Sequence, residues 1–223
     1  KPQPFPIEPK TNVLWITNPH NPTGQLWSKS SIEKLLTNYK LIICDEAFIS
    51  IVPGGEDHSI IDLTKEYKNL IVIRSLTKFL GIAGLRIGYA IANSDRLLEW
   101  EKIRDPWPVN TLAVNATKMI MNDQKMHKKR LNKIHNWINK EGKWLHKHLS
   151  DFSSLKPRPS NTNFQLVKSE FPILSILENL KKRGILLRDC RSFINLDENW
   201  FRISLQKRKD NIQIINTLKE YIK

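Results

Sequence analysis

The chain has 223 residues, 40% of them hydrophobic, and carries 36 Lys and Arg against 22 Asp and Glu for a formal net charge of +14. That length and apolar content suit a globular protein with one good core or two smaller ones, and no apolar run approaches the roughly 20 residues that cross a bilayer as a helix. The positive charge raises nucleic acid as a partner, but the basic residues are dispersed through Lys125–Lys147, Lys181–Arg183 and Lys207–Lys209, which argues for solvated helix faces instead.

The proline-rich opening Lys1–Lys10 has no periodicity and reads neither as a signal peptide nor as a transit peptide. Core-like sequence begins at once after it, as though the chain were entered midway. The pattern predicts a strand over Val13–Thr17, a turn at Asn18-Pro-His-Asn21-Pro-Thr-Gly24, a helix over Ile32–Asn38 and a strand over Leu41–Cys44. Ser30 and Glu33 have capping-box spacing for that helix. A helix near Ile60–Tyr67 and strands over Leu70–Ser75 and Ile87–Ala92 follow. This alternation favours an α/β domain with a mostly parallel sheet.

A helix over Ser94–Ile103 ends before Asp105-Pro-Trp-Pro108, where prolines break the pattern. The stretch from there to about Leu149 is amphipathic, with Leu131, Ile134, Ile138, Leu145 and Leu149 on one stripe and the lysines mostly off it. A Ser/Pro-rich linker at Ser153–Asn161 leads to a strand over Phe164–Lys168 and a helix over Ile173–Arg183 stopped by Gly184. Strands over Ile185–Arg188 and Trp200–Leu205 and a last helix from about Asn211, capped by Asp210 and Gln213, complete the chain. The expected organisation is a large α/β domain over 1–108, a connecting helical segment over 109–152 and a small α+β domain over 153–223.

Three polar segments each follow a strand-like run: Asn21-Pro-Thr-Gly24, Asp45-Glu46-Ala47-Phe48, and Ser75-Leu76-Thr77-Lys78 with Arg86 eight residues on. In an open α/β sheet ligands lie outside the carboxyl ends of the strands, so Asn21, Asp45 and Lys78 are expected to share one crevice. A lysine in such a place, flanked by hydroxyls and an arginine, suits an amine held for covalent chemistry beside a phosphate. Desolvation and a neighbouring Arg86 would both disfavour its protonated form. Each residue also has a bland alternative: Lys78 as a solvated surface lysine, Asp45 as a helix cap, Asn21 as a bare turn, Ser75 and Thr77 as local backbone caps.

This order of motifs resembles the fold type I enzymes that use pyridoxal 5'-phosphate, within the class I/II aminotransferase family. The resemblance implies that Lys78 is the Schiff-base lysine and that Asp45 faces the pyridine nitrogen. It implies that Asn21 donates to the ring oxygen, while Ser75, Thr77 and Arg86 hold the phosphate. One position departs from the pattern, because many relatives carry a tyrosine where this chain has Phe48. Arg202, in Trp200-Phe-Arg-Ile-Ser204, is similar to the arginine that binds the substrate α-carboxylate, and Arg188, in Gly184-Ile-Leu-Leu-Arg188-Asp-Cys190, to one that contacts a substrate phosphate.

Within the family, Gly184–Cys190 followed by Arg191-Ser-Phe looks most like the threonine-phosphate decarboxylases of cobalamin biosynthesis, with the histidinol-phosphate aminotransferases as the alternative. A third reading is the aminotransferase-like domain of a DNA-binding regulator, and a fourth is a piece that is inactive alone. The resemblance covers nearly the whole chain but about the last two thirds of a family member. It therefore assigns the N-terminal arm, the phosphate-binding loop and the aromatic stacked on the ring to sequence before Lys1. It also implies a homodimer when full length, acting on a small phosphorylated amino substrate; a cytoplasmic address is expected from the lack of a spanning run and of a signal or transit peptide. No metal is expected: His146 and His148 are two apart and face different ways, His20 has no assigned role, and Cys44 and Cys190 lack ligand spacing.

Overall fold

A computed structural model describes residues 11–222. The irregular opening expected over Lys1–Lys10 lies outside the described residues. The chain divides into two compact units, one made of the described residues up to Pro19 with Leu26–Ile134, the other of His20–Gln25 with the residues from His135 onward.

In the first unit, β1 (Val13–Thr17), β2 (Leu41–Asp45), β3 (Leu70–Ser75) and β4 (Gly88–Ala92) form one sheet in that order. The first three strands pair in parallel and β4 returns antiparallel to β3. Their Val and Ile content suits a pleated surface, and alternation sends Ile16, Ile42, Cys44, Leu70 and Val72 into a core shared with Ile32, Leu35, Leu36, Ile60 and Leu63. The helix expected over Ile32–Asn38 is displaced: α1 covers Lys29–Glu33, and Ser28, not Ser30, caps it by accepting from the Ser31 N–H at 3.2 Å. Residues 34–38 tighten into turns with i→i−3 bonds such as Leu35 N–H to Ile32 O and Asn38 N–H to Leu35 O. This lets Ile32, Leu35 and Leu36 all reach the sheet. The helix expected near Ile60–Tyr67 is a 3-10 turn at Ile61–Lys65, with Leu63 buried.

β3 runs directly into α2 (Leu76–Leu80), which ends at Gly81 with φ +69°. After β4 come α3 (Ser94–Ile103) and α4 (Thr111–Asn122). The long amphipathic stretch is two helices, not one, because Asp123 stops α4 and its carboxylate accepts from the Met126 N–H at 2.8 Å at the start of α5 (Gln124–Ser150).

The second unit holds an antiparallel sheet in the order β5 (Leu155–Pro157), β6 (Phe164–Ser169), β8 (Trp200–Ser204), β7 (Arg188–Asp189). The linker expected over Ser153–Asn161 thus contains an edge strand, paired with β6 through Leu155↔Ser169. The strand expected over Ile185–Arg188 shrinks to the two residues of β7. Ile138, Leu145 and Leu149 of α5, Ile176 and Leu180 of α6 (Leu174–Lys182), and Ile214, Ile215 and Leu218 of α7 (Arg208–Tyr221) are buried, as are Val167, Phe201 and Ile203 of the sheet. Gly184, at φ +76°, follows α6 where a stop was expected.

α7 starts three residues earlier than expected and without a side-chain cap, so Asp210 and Gln213 do not form the capping box. A tertiary network takes over. Glu141, buried in α5, accepts from Arg208 Nε and Nη2 at 2.9 and 3.0 Å and from Asn211 Nδ2 at 3.0 Å, while Asn211 Oδ1 accepts from the Gln206 N–H. No helix among the described residues is long and apolar enough to cross a membrane.

The hydrogen bonds from Arg208, opposed by burial, hold the Glu141 carboxyl below its ordinary value of 4.5. A depressed carboxylate stabilises the fold above its unfolded pKa and loses that contribution as pH falls toward the folded value. Arg208 is more than a third exposed, so solvent screens the pair and the contribution is about 1 kcal/mol. Glu141→Gln is expected to lower urea stability by that amount at pH 7, with the gap to the parent closing as pH is taken below about 4.5.

Candidate active site

In the first unit the chemistry-bearing residues collect where β2 and β3 end. Asp45 is the last residue of β2, half-buried, and its Oδ1 accepts from the Ala47 N–H at 2.9 Å. Ser75 ends β3 and caps α2, with its Oγ 2.8 Å from Thr77 Oγ1 and accepting from the Thr77 N–H at 3.3 Å. The hydroxyls therefore do take up the local bonds that the bland alternative foresaw, and they also lie together. Lys78 follows within α2, and its Nζ sits 5.1 Å from the centre of the Phe48 ring, near enough for a cation–π attraction. Phe48 supplies a face and no hydroxyl.

Arg86 reaches this region through the antiparallel return of β4. Gly88 is the register partner of Ser75, the Leu76 N–H donates to Ile87 O at 3.3 Å, and Arg86 comes just before, in the left-handed conformation at φ 50°. Its Nη1 donates to Ala83 O at 3.0 Å and the side chain is exposed. Gly88 is required here, since a Cβ would lie 2.6 Å from Arg74 O. One expectation fails in this chain: Lys78 is exposed, not desolvated. It sits on the first helical turn beyond the strand, past the buried stretch that was expected to enclose it.

Behind these residues lies a polar layer that motif reading missed. Arg74, only 4% exposed, donates from Nε to Glu46 Oε2 at 2.8 Å, from Nη1 to Glu56 Oε1 at 2.9 Å and Ser50 Oγ at 3.1 Å, and from Nη2 to Glu56 Oε2 at 2.8 Å and Ser59 Oγ at 2.9 Å. Glu46, fully buried, also accepts from the Ser59 hydroxyl at 2.8 Å and the Ile60 N–H at 2.9 Å. Burial raises the Glu46 carboxyl, and the charge of Arg74 with these donors pulls it back. Burial works against Arg74 as well, but the bonds from Glu56 and the charges of Glu46 and Glu56 hold the guanidinium above its ordinary value. Asn18, also fully buried, ends the β1 side, with Nδ2 donating to Trp27 O and His58 O and Oδ1 accepting from the Trp27 N–H. The available sign was Arg74 itself, a charge inside an apolar strand, which is almost never buried unless paired.

In the second unit Asn21 lies in a tight turn closed by the Gly24 N–H to His20 O and the His20 N–H to Gln25 O, both 2.7 Å. Gly24 has φ +72°, and a Cβ there would overlap Ser160 Oγ. The Asn161 N–H donates to Gly24 O at 3.0 Å. Both Asn–Pro bonds of the motif, Asn18–Pro19 and Asn21–Pro22, are cis. Asn21 Oδ1 accepts from Arg202 Nη1 at 2.5 Å, which leaves the amide NH2 as the end that Asn21 can present.

Arg202 lies on β8, half-buried over the Phe164 ring at 4.7 Å, and its buried Nε has no partner. Burial lowers its pKa, and the like charge of Arg188 adds to that. Arg188 is its cross-strand register partner on β7, exposed, donating from Nη2 to Ser192 Oγ at 2.8 Å. Burial pushes the thiol of the adjacent Cys190 up to about 11. Among the described residues no group of His, Cys, Asp and Glu could hold a metal ion.

The structure thus brings Ser75 to Thr77 and Arg86 to the start of α2 in one unit, and Asn21 and Arg188 to Arg202 in the other. A histidinol-phosphate aminotransferase of Archaeoglobus fulgidus is 31% identical over 213 residues, which is 96% of this chain and 59% of that protein. The L-threonine-O-3-phosphate decarboxylase from Porphyromonas gingivalis matches with a TM-score of 0.82 and 28% identity over 94% of this chain and 64% of that one. The histidinol-phosphate aminotransferase from Sinorhizobium meliloti, in complex with pyridoxal-5'-phosphate, matches with a TM-score of 0.80 and 25% identity over 94% and 57%. The chain spans less than two thirds of the length of each. The family described as aminotransferase class I and II matches residues 3–218, with the Asn21, Asp45 and Lys78 segments all inside the match, and the chain belongs to that family.

Proposed function

We propose that this chain carries cofactor- and substrate-binding residues of a pyridoxal-phosphate-dependent enzyme that acts on a phosphorylated amino acid or amine. The donor set fits the cofactor: a carboxylate for a pyridinium nitrogen at Asp45, an amide for a ring oxygen at Asn21, hydroxyls and a guanidinium for a phosphate at Ser75, Thr77 and Arg86, and an exposed amine at Lys78. When bound, pyridoxal phosphate supplies an electron sink for the bond broken at the substrate Cα. Asp45 would face the ring nitrogen and favour its protonated form, and Lys78 would hold the cofactor and then move the proton at the substrate Cα.

The observation that carries the substrate reading is the pairing of Arg188 with Arg202 across adjacent strands, with no carboxylate ion-paired to either among the described residues. Two facing guanidiniums repel, and Arg202 has a buried unpartnered Nε, so the pair is poised for a ligand with two anionic groups. Arginine forks suit both carboxylate and phosphate. Threonine phosphate presents both on one molecule, which favours decarboxylation. Histidinol phosphate transamination is the second reading, favoured by the Archaeoglobus relative; there the phosphate and the carboxylates arrive on different substrates. In the family's mode of action the enzyme is a cytoplasmic homodimer.

Protein expressed from its complete reading frame and loaded with pyridoxal phosphate is expected to show a visible absorbance band that vanishes in Lys78→Ala. A band that persists there overturns the assignment of Lys78. Incubation with threonine phosphate is expected to release carbon dioxide and aminopropanol phosphate; turnover of histidinol phosphate that requires 2-oxoglutarate, without that release, selects the second reading. Arg188→Ala is expected to raise KM for the phosphorylated substrate about tenfold, or ~1.4 kcal/mol, with a smaller effect on kcat. An unchanged KM would remove Arg188 from the site.

A further inference from the structure

We propose that Arg74 and Glu46, which no motif assigns, are positioning residues of the cofactor site, holding Ser75 and Asp45 in place through one buried charge network. The inference rests on the pyridoxal phosphate reading above and adds to it the residues that act from behind.

The covalent arrangement comes first. Glu46 directly follows Asp45, and Arg74 directly precedes Ser75. Asp45 is the register partner of Ile73, and the Glu46 N–H donates to Ile73 O at 2.8 Å. A displacement of either side chain therefore moves the adjoining site residue by way of one peptide unit. Alternation along a strand sends neighbouring side chains to opposite sides, so the network can hold the strand ends without occupying the space in front of Asp45 and Ser75.

Stiffness is the second point. A guanidinium has five N–H donors, and the five bonds of Arg74 to Glu46, Glu56, Ser50 and Ser59 match that number. Ser59 Oγ makes three bonds, donating to Glu46 and accepting from Arg74 and from the Ile61 N–H. Both charged anchors are almost without water, Arg74 at 4% and Glu46 at 0% exposure. With every donor committed and no solvent to replace a lost bond, few rotamers remain for either side chain. That is the condition under which supporting residues hold a binding group to the tolerance that chemistry needs.

The two anchors join different strands to the same short segment, Glu56–Ile60, through Glu56, Ser59 and the Ile60 N–H. The separation of Asp45 from Ser75 is therefore set by this segment as well as by the ladder between β2 and β3. A cofactor that spans a carboxylate at one strand end and a phosphate grip at the next requires that separation to be constant.

The test uses protein from its complete reading frame in four forms beside the parent: Arg74→Met, Arg74→Lys, Glu46→Gln and Ser59→Ala. Pyridoxal phosphate is titrated by the Lys78-dependent absorbance band, at a temperature where thermal unfolding shows each form to be folded. Arg74→Met and Glu46→Gln are expected to weaken binding on the order of tenfold and to shift the band. Arg74→Lys is expected to fall short of the parent, because an ammonium keeps the charge but cannot make the fork. Ser59→Ala removes one bridge without stranding a charge, and keeps the test decisive if Arg74→Met does not fold; a smaller loss in the same direction is expected. Variants that melt earlier while affinity and band position match the parent would make the network purely structural and overturn the proposal alone. A parent protein with no Lys78-dependent band overturns the cofactor reading, and this inference with it.

Discussion

Arg74 carries a full charge into a strand whose preceding residues are all Leu, Ile and Val, and its burial is the constraint on which the first unit depends. An uncompensated buried charge costs several kcal/mol, so the fold has to bring acceptors to it. They come from three places: Glu46 at the end of the neighbouring strand, Glu56 on a 3-10 turn, and the hydroxyls of Ser50 and Ser59. Satisfying one guanidinium therefore orders the connection between β2 and β3, a segment with short turns and no long helix. Asn18 adds β1 to the same segment through His58 O. The carboxyl edge of the sheet is held by directed bonds where hydrophobic packing alone would leave it free to slide.

The second unit solves a related problem in the opposite way. Its inward charge, Glu141, is matched bidentately by Arg208 and by Asn211, and this ties α5 to α7 behind the sheet. On the sheet itself Arg202 has the Asn21 carbonyl, the Phe164 ring, Cys190 and a neighbouring arginine around it, and its buried Nε has no partner among the described residues. A satisfied network stabilises a fold, whereas Arg202 keeps a buried Nε without a partner, the feature on which the proposed anion-binding role rests. The same residue type sits in closed ion-pair networks at Arg74 and Arg208 and outside any such network at Arg188 and Arg202, and the partners distinguish the two settings.

In the proposed reading the chemistry is what pyridoxal phosphate performs at a Cα, and the choice of bond is a matter of angle. Decarboxylation and transamination differ in which substituent of Cα stands perpendicular to the ring, and in the proposed reading Arg188 and Arg202 would set that orientation. Phe48 is a further particular of this chain, since a ring facing Lys78 attracts a cation without offering a proton.

Sequence alone determined the four strands of the first sheet and the motifs at their ends, while β5 and the two-residue β7 escaped it. Val- and Ile-rich runs, the Asn-Pro-Thr-Gly turn and the Ser-Leu-Thr-Lys segment are local patterns whose physics is complete within a few residues, so the positions of Asp45, Ser75 and Lys78 at and just beyond strand ends were legible for that reason. Only the tertiary structure decided what depends on distant partners. The helix expected at Ile32 moved to Ser28 because packing of Leu35 and Leu36 outweighed a capping pattern, and α7 began at Arg208 because Glu141, 67 residues away, supplied the bond. The exposure of Lys78, the bond from Arg202 to Asn21 across 181 residues, and the linkage of Glu46 to Arg74 across 28 have no local signature. A charged side chain announces that it needs a partner, and the fold alone decides which one it finds.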